Sequence, residues 1–261
     1  MSAEPHQEYD DNLMALLEAI WGEGYMSPGG NDEVDRYLAG IDLRDLSVLD
    51  IGCGLGGIDI HLVRQHRAAK VTGIDIEQWL IDRCLGLAQK YGIEARTEFI
   101  RVDPGPLPFA DASFEAVTSK DSIIHIADKQ ALASDVYRVL EAGGWFAASD
   151  WLAGYEGEPS AEMQAYIDAE GLDFNLACAQ DYRRALEGAG FIDIEIVDRN
   201  HWYREQARLE RDQMDGALRK GLSSKVGDDF LEHEIDVWDK MIIALDQGQL
   251  CPTHLRCRKP G

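Results

Sequence analysis

Apolar residues recur at helical spacing from residue 10 to 21, then give way to a glycine-rich loop over 22–30 and a short second helix over 32–38. From there the period changes. Short apolar runs at 47–51, 70–76, 98–102, 114–119 and 145–151 read as strands, and the amphipathic stretches 58–67, 78–91 and 129–140 read as helices. A turn at 141–144, Glu-Ala-Gly-Gly, precedes the fifth strand. Strands separated by helices of this length mean parallel βαβ units with right-handed crossovers, hence an α/β fold. After Trp151 the rhythm is lost. An acidic, mostly helical stretch covers 155–177, a helix over 180–189 leads into a strand at 192–198, and 201–245 reads as helical with breaks at Gly221 and Gly227. A last segment, 249–258, can return as a closing strand, which makes seven. No repeat or low-complexity linker divides the chain. The expectation is one domain over 1–261: a helical lid (1–40), a core (41–152), a helical cap (153–178 and 199–248) and closing elements (179–198 and 249–258).

Charge narrows the partners. The 261 residues hold 48 acidic against 25 basic side chains, a formal net charge of −23. That surface disfavours the counterion release on which nucleic-acid binding depends, so neither nucleic acid nor an anionic membrane is an expected partner, while cations are drawn in. The polar, acidic start lacks the apolar centre of a signal peptide, and no apolar run approaches a membrane span. Five scattered cysteines suggest reduced thiols in a cytoplasm. Cys251, His254 and Cys257 are close in sequence, but strand alternation sends His254 to the opposite face, and no metal is expected.

The most informative stretch is Val48-Leu-Asp-Ile-Gly-Cys-Gly-Leu-Gly-Gly57, where a strand ends at Asp50 and a helix begins after Gly52, Gly54, Gly56 and Gly57. Glycines at such a turn let backbone approach a ligand, and a helix N-terminus offers free N–H groups. The spacing also satisfies a dinucleotide fingerprint. Asp50 argues against it, since a carboxylate repels a pyrophosphate but attracts the ammonium and sulfonium of S-adenosylmethionine (SAM). Asp75-Ile76 ends the second strand, where an acid can accept both ribose hydroxyls, and Asp103-Pro104 ends the third, beside an adenine edge.

Over roughly residues 20–200 the chain resembles the class I SAM-dependent methyltransferases. More closely it resembles the phosphoethanolamine N-methyltransferase branch, through Gly24-Tyr-Met-Ser-Pro-Gly-Gly30, Val48–Gly57 and Lys120-Asp-Ser-Ile-Ile-His125. The resemblance implies a Rossmann-like, mostly parallel seven-stranded sheet flanked by helices. It implies SAM held by the glycine loop, Asp50, Asp75, Ile76, Asp103, Pro104 and Lys120, with Tyr25, Met26 and Ser27 closing over it. It also implies that Tyr9 and His125 lock the site and help to deprotonate the amine, a step that suits a base titrating near neutrality. Asp121, one helical turn before His125, would orient the imidazole.

The cap departs from that family. Tyr166 matches one phosphate-holding tyrosine. By ungapped counting Trp151 replaces a second and Leu172 a third, Glu170 falls where an arginine belongs, and Met241 where a lysine does, with Lys240 adjacent. An acid cannot replace an arginine on a phosphate. Trp151, Tyr166 and Glu170 suit an amine instead. The expected activity is N-methylation of a small amine without a phosphate, of the glycine, sarcosine or dimethylglycine kind or another. A carboxylate on it would have only Arg183, Arg184 or Lys240 to call on. The protein is expected to act as a monomer or homodimer. The alternatives are S-methylation of a thioether or thiol, C- or O-methylation of a small metabolite, and a SAM-binding regulator without turnover.

Overall fold

The computed structural model describes residues 11–171 and 174–261. Tyr9 and Leu172 lie outside the described residues. Two helices lead, α1 (Asp11–Trp21) and α2 (Gly30–Tyr37). An alternating section follows: β1 (Ser47–Ile51), α3 (Gly57–Arg64), β2 (Lys70–Asp75), α4 (Gln78–Tyr91), β3 (Thr97–Arg101), β4 (Phe114–Lys120), α5 (Lys129–Val139) and β5 (Leu140–Ala153). The chain closes with α6 (Ala161–Glu170), α7 (Ala179–Ala189), β6 (Ile192–Asp198), α8 (Asn200–Asp215), α9 (Arg219–Val226), α10 (Asp228–Asp246) and β7 (Leu250–Arg258).

The seven described strands form one sheet in the order β3-β2-β1-β4-β5-β7-β6. β1 to β5 are parallel, and β7 runs antiparallel to both β5 and β6. β1 is buried from Val48 to Ile51 because helices cover both faces of a parallel sheet, which explains why only Asp50 interrupts its apolar run. The chain leaves β1 toward β2 on one side and returns from β3 to β4 on the other. A crevice therefore opens between the C-terminal ends of β1 and β4, where open α/β sheets bind ligands.

Beyond the sheet's own two apolar faces, a third core joins lid and cap. Met14, Leu16 and Leu17 of α1 pack with Met163, Tyr203, Leu231, Trp238 and Met241, and Leu55 of the glycine loop belongs to the same cluster. A polar clamp secures α2. Glu33, 3 % exposed at its side chain, accepts from Arg199 Nε at 2.8 Å and lies 2.8 Å from His254 Nε2. His254 thus faces α2, while Cys257 packs in the core on the other face, as strand alternation requires.

Three boundaries differ from the sequence expectation. Residues 141–144 belong to β5 rather than to a turn, because the β4–β5 ladder absorbs a register shift between Phe114 and Ala116. Gly221 lies inside α9, and the helical break falls at Gly216, where a Cβ would stand 2.8 Å from the Asp212 carbonyl. Of the stretch 155–177, Ala161–Glu170 is the helical part among the described residues.

Candidate active site

The glycine loop is built for close approach. Gly52 has φ +73°, and a Cβ there would stand 1.8 Å from Ser122 Oγ. A Cβ on Gly57 would come within 2.5 Å of the Gly24 carbonyl, which accepts the Gly57 N–H at 3.0 Å. The first N–H of α3 is therefore used by the lid. Met26 lies over Gly54, and Tyr25 is buried against Gly57. Asp50 is 0 % exposed, and among the described residues no amide, hydroxyl or cation donates to its carboxylate, which meets that of Asp59 on α3. Burial, then their mutual charge and that of Asp75, pushes Asp50 far above the ordinary carboxylate range. Burial raises Asp59 as well. A buried pair of acids with no described cation beside it, above a cradle with no room for a Cβ, fits the cationic end of SAM. Asp75 ends β2 with its carboxylate accepting from Gly54 N and Glu77 N, each at 3.1 Å. Ile76 is exposed beside it. Asp103, 80 % exposed and ion-paired with Arg101, and Pro104 lie at the rim beyond β3.

The end of β4 links lid to sheet. Lys120 Nζ donates to Ser27 Oγ and to Asp121 Oδ2, each at 2.7 Å, and Ser149 Oγ donates to Asp121 Oδ1 at 3.0 Å. These are the partners of the Asp121 carboxylate among the described residues. The spacing between Asp121 and His125 differs from the expected one. Asp121 has φ 55°, and His125 ends a 3-10 turn (Ile123–His125), so the two are not one α-helical turn apart. That turn is held from behind. Asp150, at the end of β5, accepts the Ile124 N–H at 3.1 Å and a hydroxyl from Tyr182, while Lys129 Nζ donates to the Ile123 and Ile126 carbonyls at 2.7 and 2.6 Å. Asn175 donates to the His125 carbonyl at 3.2 Å, and Phe174 stacks 6.1 Å from the imidazole.

His125 and Asp121 open into a cavity beneath the lid and cap, which Met26, Ser27, Trp151, Tyr166 and Glu170 also line. Aromatic rings form much of its wall: Trp21, Phe174, Tyr203 and Trp238 besides Trp151 and Tyr166. Trp151 and Tyr203 meet edge to face at 4.9 Å. One buried acid sets three of the rings. Glu210 on α8 accepts from Trp21 Nε1 at 2.9 Å, Tyr203 Oη at 3.1 Å and Trp238 Nε1 at 3.2 Å, which turns their polar edges outward. Glu234 of α10 adds a third acid to the lining, beside Asp121 and Glu170. Burial raises Glu170 to about 7, with the Tyr166 hydroxyl pulling it partly back. None of the described lining residues is an arginine or a lysine. Lys240 pairs with Asp236, Arg183 with Glu187 and Arg184 with Asp181, all on helix surfaces, while Met241 lines the cavity.

Sequence reasoning did not single out Asp59, Lys129, Asp150, Glu210 or Glu234. The one available signal was an acid within an apolar run, as in Ala147-Ala-Ser-Asp150.

A family model described as a methyltransferase domain matches residues 48–144. Phosphoethanolamine N-methyltransferase 1 of Arabidopsis thaliana is 30% identical over 224 residues, which is 85% of this chain and 44% of that protein. The chain thus spans less than half the length of that relative. Among solved structures, phosphoethanolamine N-methyltransferase 2 of Haemonchus contortus, in complex with phosphomonomethylethanolamine and S-adenosylhomocysteine, superposes with a TM-score of 0.88 at 24% identity. The match covers 98% of this chain and 59% of that one. A candidate sarcosine dimethylglycine methyltransferase from Galdieria sulphuraria gives 0.80 at 19% identity, over 96% and 98% of the two chains. At these identities the structures speak for the fold. With the sheet order and the glycine loop, the matches show a class I methyltransferase fold that carries a methyltransferase domain over residues 48–144. In sequence it is similar to the phosphoethanolamine N-methyltransferases over much of its length.

Proposed function

We propose that the protein methylates the nitrogen of a small amine that carries no phosphate. The observation that carries this reading is the cavity wall, with its aromatic rings, three carboxyl groups and no described arginine or lysine. Residues 1–10 and 172–173 contain no arginine or lysine in sequence either. A phosphate there would meet acids and no arginine or lysine among the described lining residues. An ammonium gains about 0.5–2 kcal/mol from each aromatic face it meets, and more from the carboxylates. The relatives are named for a phosphorylated amine; by ungapped counting Tyr166 is kept among the residues that would hold its phosphate and the others are replaced. A carboxylate on the amine has no partner for the same reason, so amines with an uncharged remainder fit better than glycine or sarcosine.

The glycine loop, Asp50, Asp75, Ile76, Asp103 and Pro104 would hold SAM, which when bound supplies a methyl group already activated by its sulfonium. Tyr25, Met26 and Ser27 close over that site, and Lys120 ties Ser27 to Asp121. Trp151, Tyr166 and Glu170 hold the amine. His125, fixed by the Asp150 and Lys129 bonds to its turn, takes the proton that an ammonium must lose before its nitrogen can attack. Tyr9 joins this step by resemblance alone. The rate gain then comes mainly from positioning and the exclusion of water.

The test is purified protein with SAM and a panel of small amines, amino acids, thioethers and phosphoamines, read by mass spectrometry. A methylated amine with phosphoethanolamine untouched is the expected result. Methylated phosphoethanolamine would overturn the reading.

A further inference from the structure

Away from the cavity, Asp35, His61 and His66 converge at the surface between α2 and α3. His61 is on the last turn of α3, and His66 follows the helix end, its N–H reaching back to the His61 carbonyl at 3.4 Å. Arg67, with φ 60°, turns the chain away at that point. The two imidazoles stand edge to face, their centroids 5.1 Å apart. Both Nε2 atoms point at one oxygen, Asp35 Oδ1, at 2.6 Å from His61 and 2.8 Å from His66. The three ligand atoms lie within 4.8 Å of one another. His61 is 6 % exposed and Asp35 is 53 % exposed at the side chain, so the cluster has a fixed floor and an open face.

We propose that these three residues bind a first-row divalent transition-metal ion of the zinc or cobalt kind. Two imidazoles and a carboxylate are the donor set such ions favour, and three protein ligands leave the solvent side for water. Histidine and carboxylate bonds to zinc are about 2.0–2.2 Å long. At a tetrahedral angle the present N–O separations of 2.6 and 2.8 Å would therefore open by roughly half an ångström or somewhat more, which the exposed Asp35 carboxylate permits by turning outward. A net charge of −23 adds a long-range attraction for any cation. The position gives the ion a role. Asp35 belongs to the helix that follows the lid loop, and His61 to the helix that opens on the glycine loop, so a bound ion cross-links lid and SAM cradle independently of what the cavity methylates.

Chelator-treated protein titrated with Co²⁺ should show a visible ligand-field band saturating at one ion per chain, and Zn²⁺ should raise the melting temperature. His66→Ala and Asp35→Asn should each weaken the ion by at least the roughly tenfold to hundredfold that loss of an outer hydrogen-bond partner costs. His201→Ala, a surface histidine on α8, should bind as the parent does. Absence of the band, or unchanged affinity in both His66→Ala and Asp35→Asn, would overturn the site. Since SAM binding can be followed separately in the same samples, a failure here is distinct from a failure of the amine reading.

Discussion

Glu170 stands at about 7 because burial in the cavity wall disfavours its charge, against 4.5 for an ordinary glutamate. A folded-state value above the unfolded one means that stability declines as pH rises from about 4.5 through about 7. A bound ammonium reverses the preference and favours the carboxylate. Amine affinity should therefore rise as pH is raised through neutrality, with an inflection near 7 in the pH profile of KM. Glu170→Gln should abolish that inflection and weaken the amine by about tenfold to a hundredfold, the worth of a hydrogen bond to a charged group. Its melting temperature above neutral pH should be unchanged or raised, whereas a packing residue would lower it and leave the KM profile intact. His125→Ala should bind SAM normally in calorimetry while turnover drops by about 10²–10⁴, the range for a lost general base; retained turnover would remove the assignment. His125 was legible in the sequence because a titratable residue followed a strand end in a recognisable motif. The bonds of Asp121 to Lys120 and Ser149 were not, since Ser149 lies on another strand and a left-handed backbone at Asp121 breaks the local spacing.

At the level of elements, the clamp of α2 on the closing strand and α8 carries a second pH signature. Burial pushes the Glu33 carboxyl up, but hydrogen bonds from His254 and Arg199, with their charges, outweigh it and leave it at about 2. A depressed value contributes stability that is present above the unfolded 4.5 and is lost as pH falls toward about 2. Glu33→Ala leaves Arg199 and His254 facing an empty partner position and should cost about 3–5 kcal/mol, as loss of one member of a buried pair does. Urea denaturation at neutral pH measures it, and a loss of less than about 1 kcal/mol would mean that the clamp anchors nothing. Helices and strands were legible from their periods, and the parallel pairing of the early strands followed from the alternation of the two, while the strand order did not. Glu33 was not, because its partners lie 166 and 221 residues away and no local pattern couples them.

Over the whole molecule, 23 uncompensated negative charges repel one another. Raising the salt from about 0.01 to 1 M shortens the screening length from about 30 to about 3 Å. The melting temperature should therefore climb with sodium chloride in a fluorimetric scan. A decline would mean that the surface ion pairs, such as Arg211–Asp239 and Arg204–Asp246, outweigh the repulsion.

The sequence by itself determined the α/β class, the glycine turn, the acids at the strand ends and the excess of negative charge. Each of these is written in local spacing or in composition, which chain connectivity carries without reference to distant residues. Only the tertiary structure decided that Asp50 meets Asp59, that Glu210 sets three aromatic rings, that Lys240, Arg183 and Arg184 stay outside the cavity, and that Asp35 meets two histidines. Those outcomes depend on which side chains the packed helices of lid and cap turn inward, a three-dimensional choice made by burial and charge together.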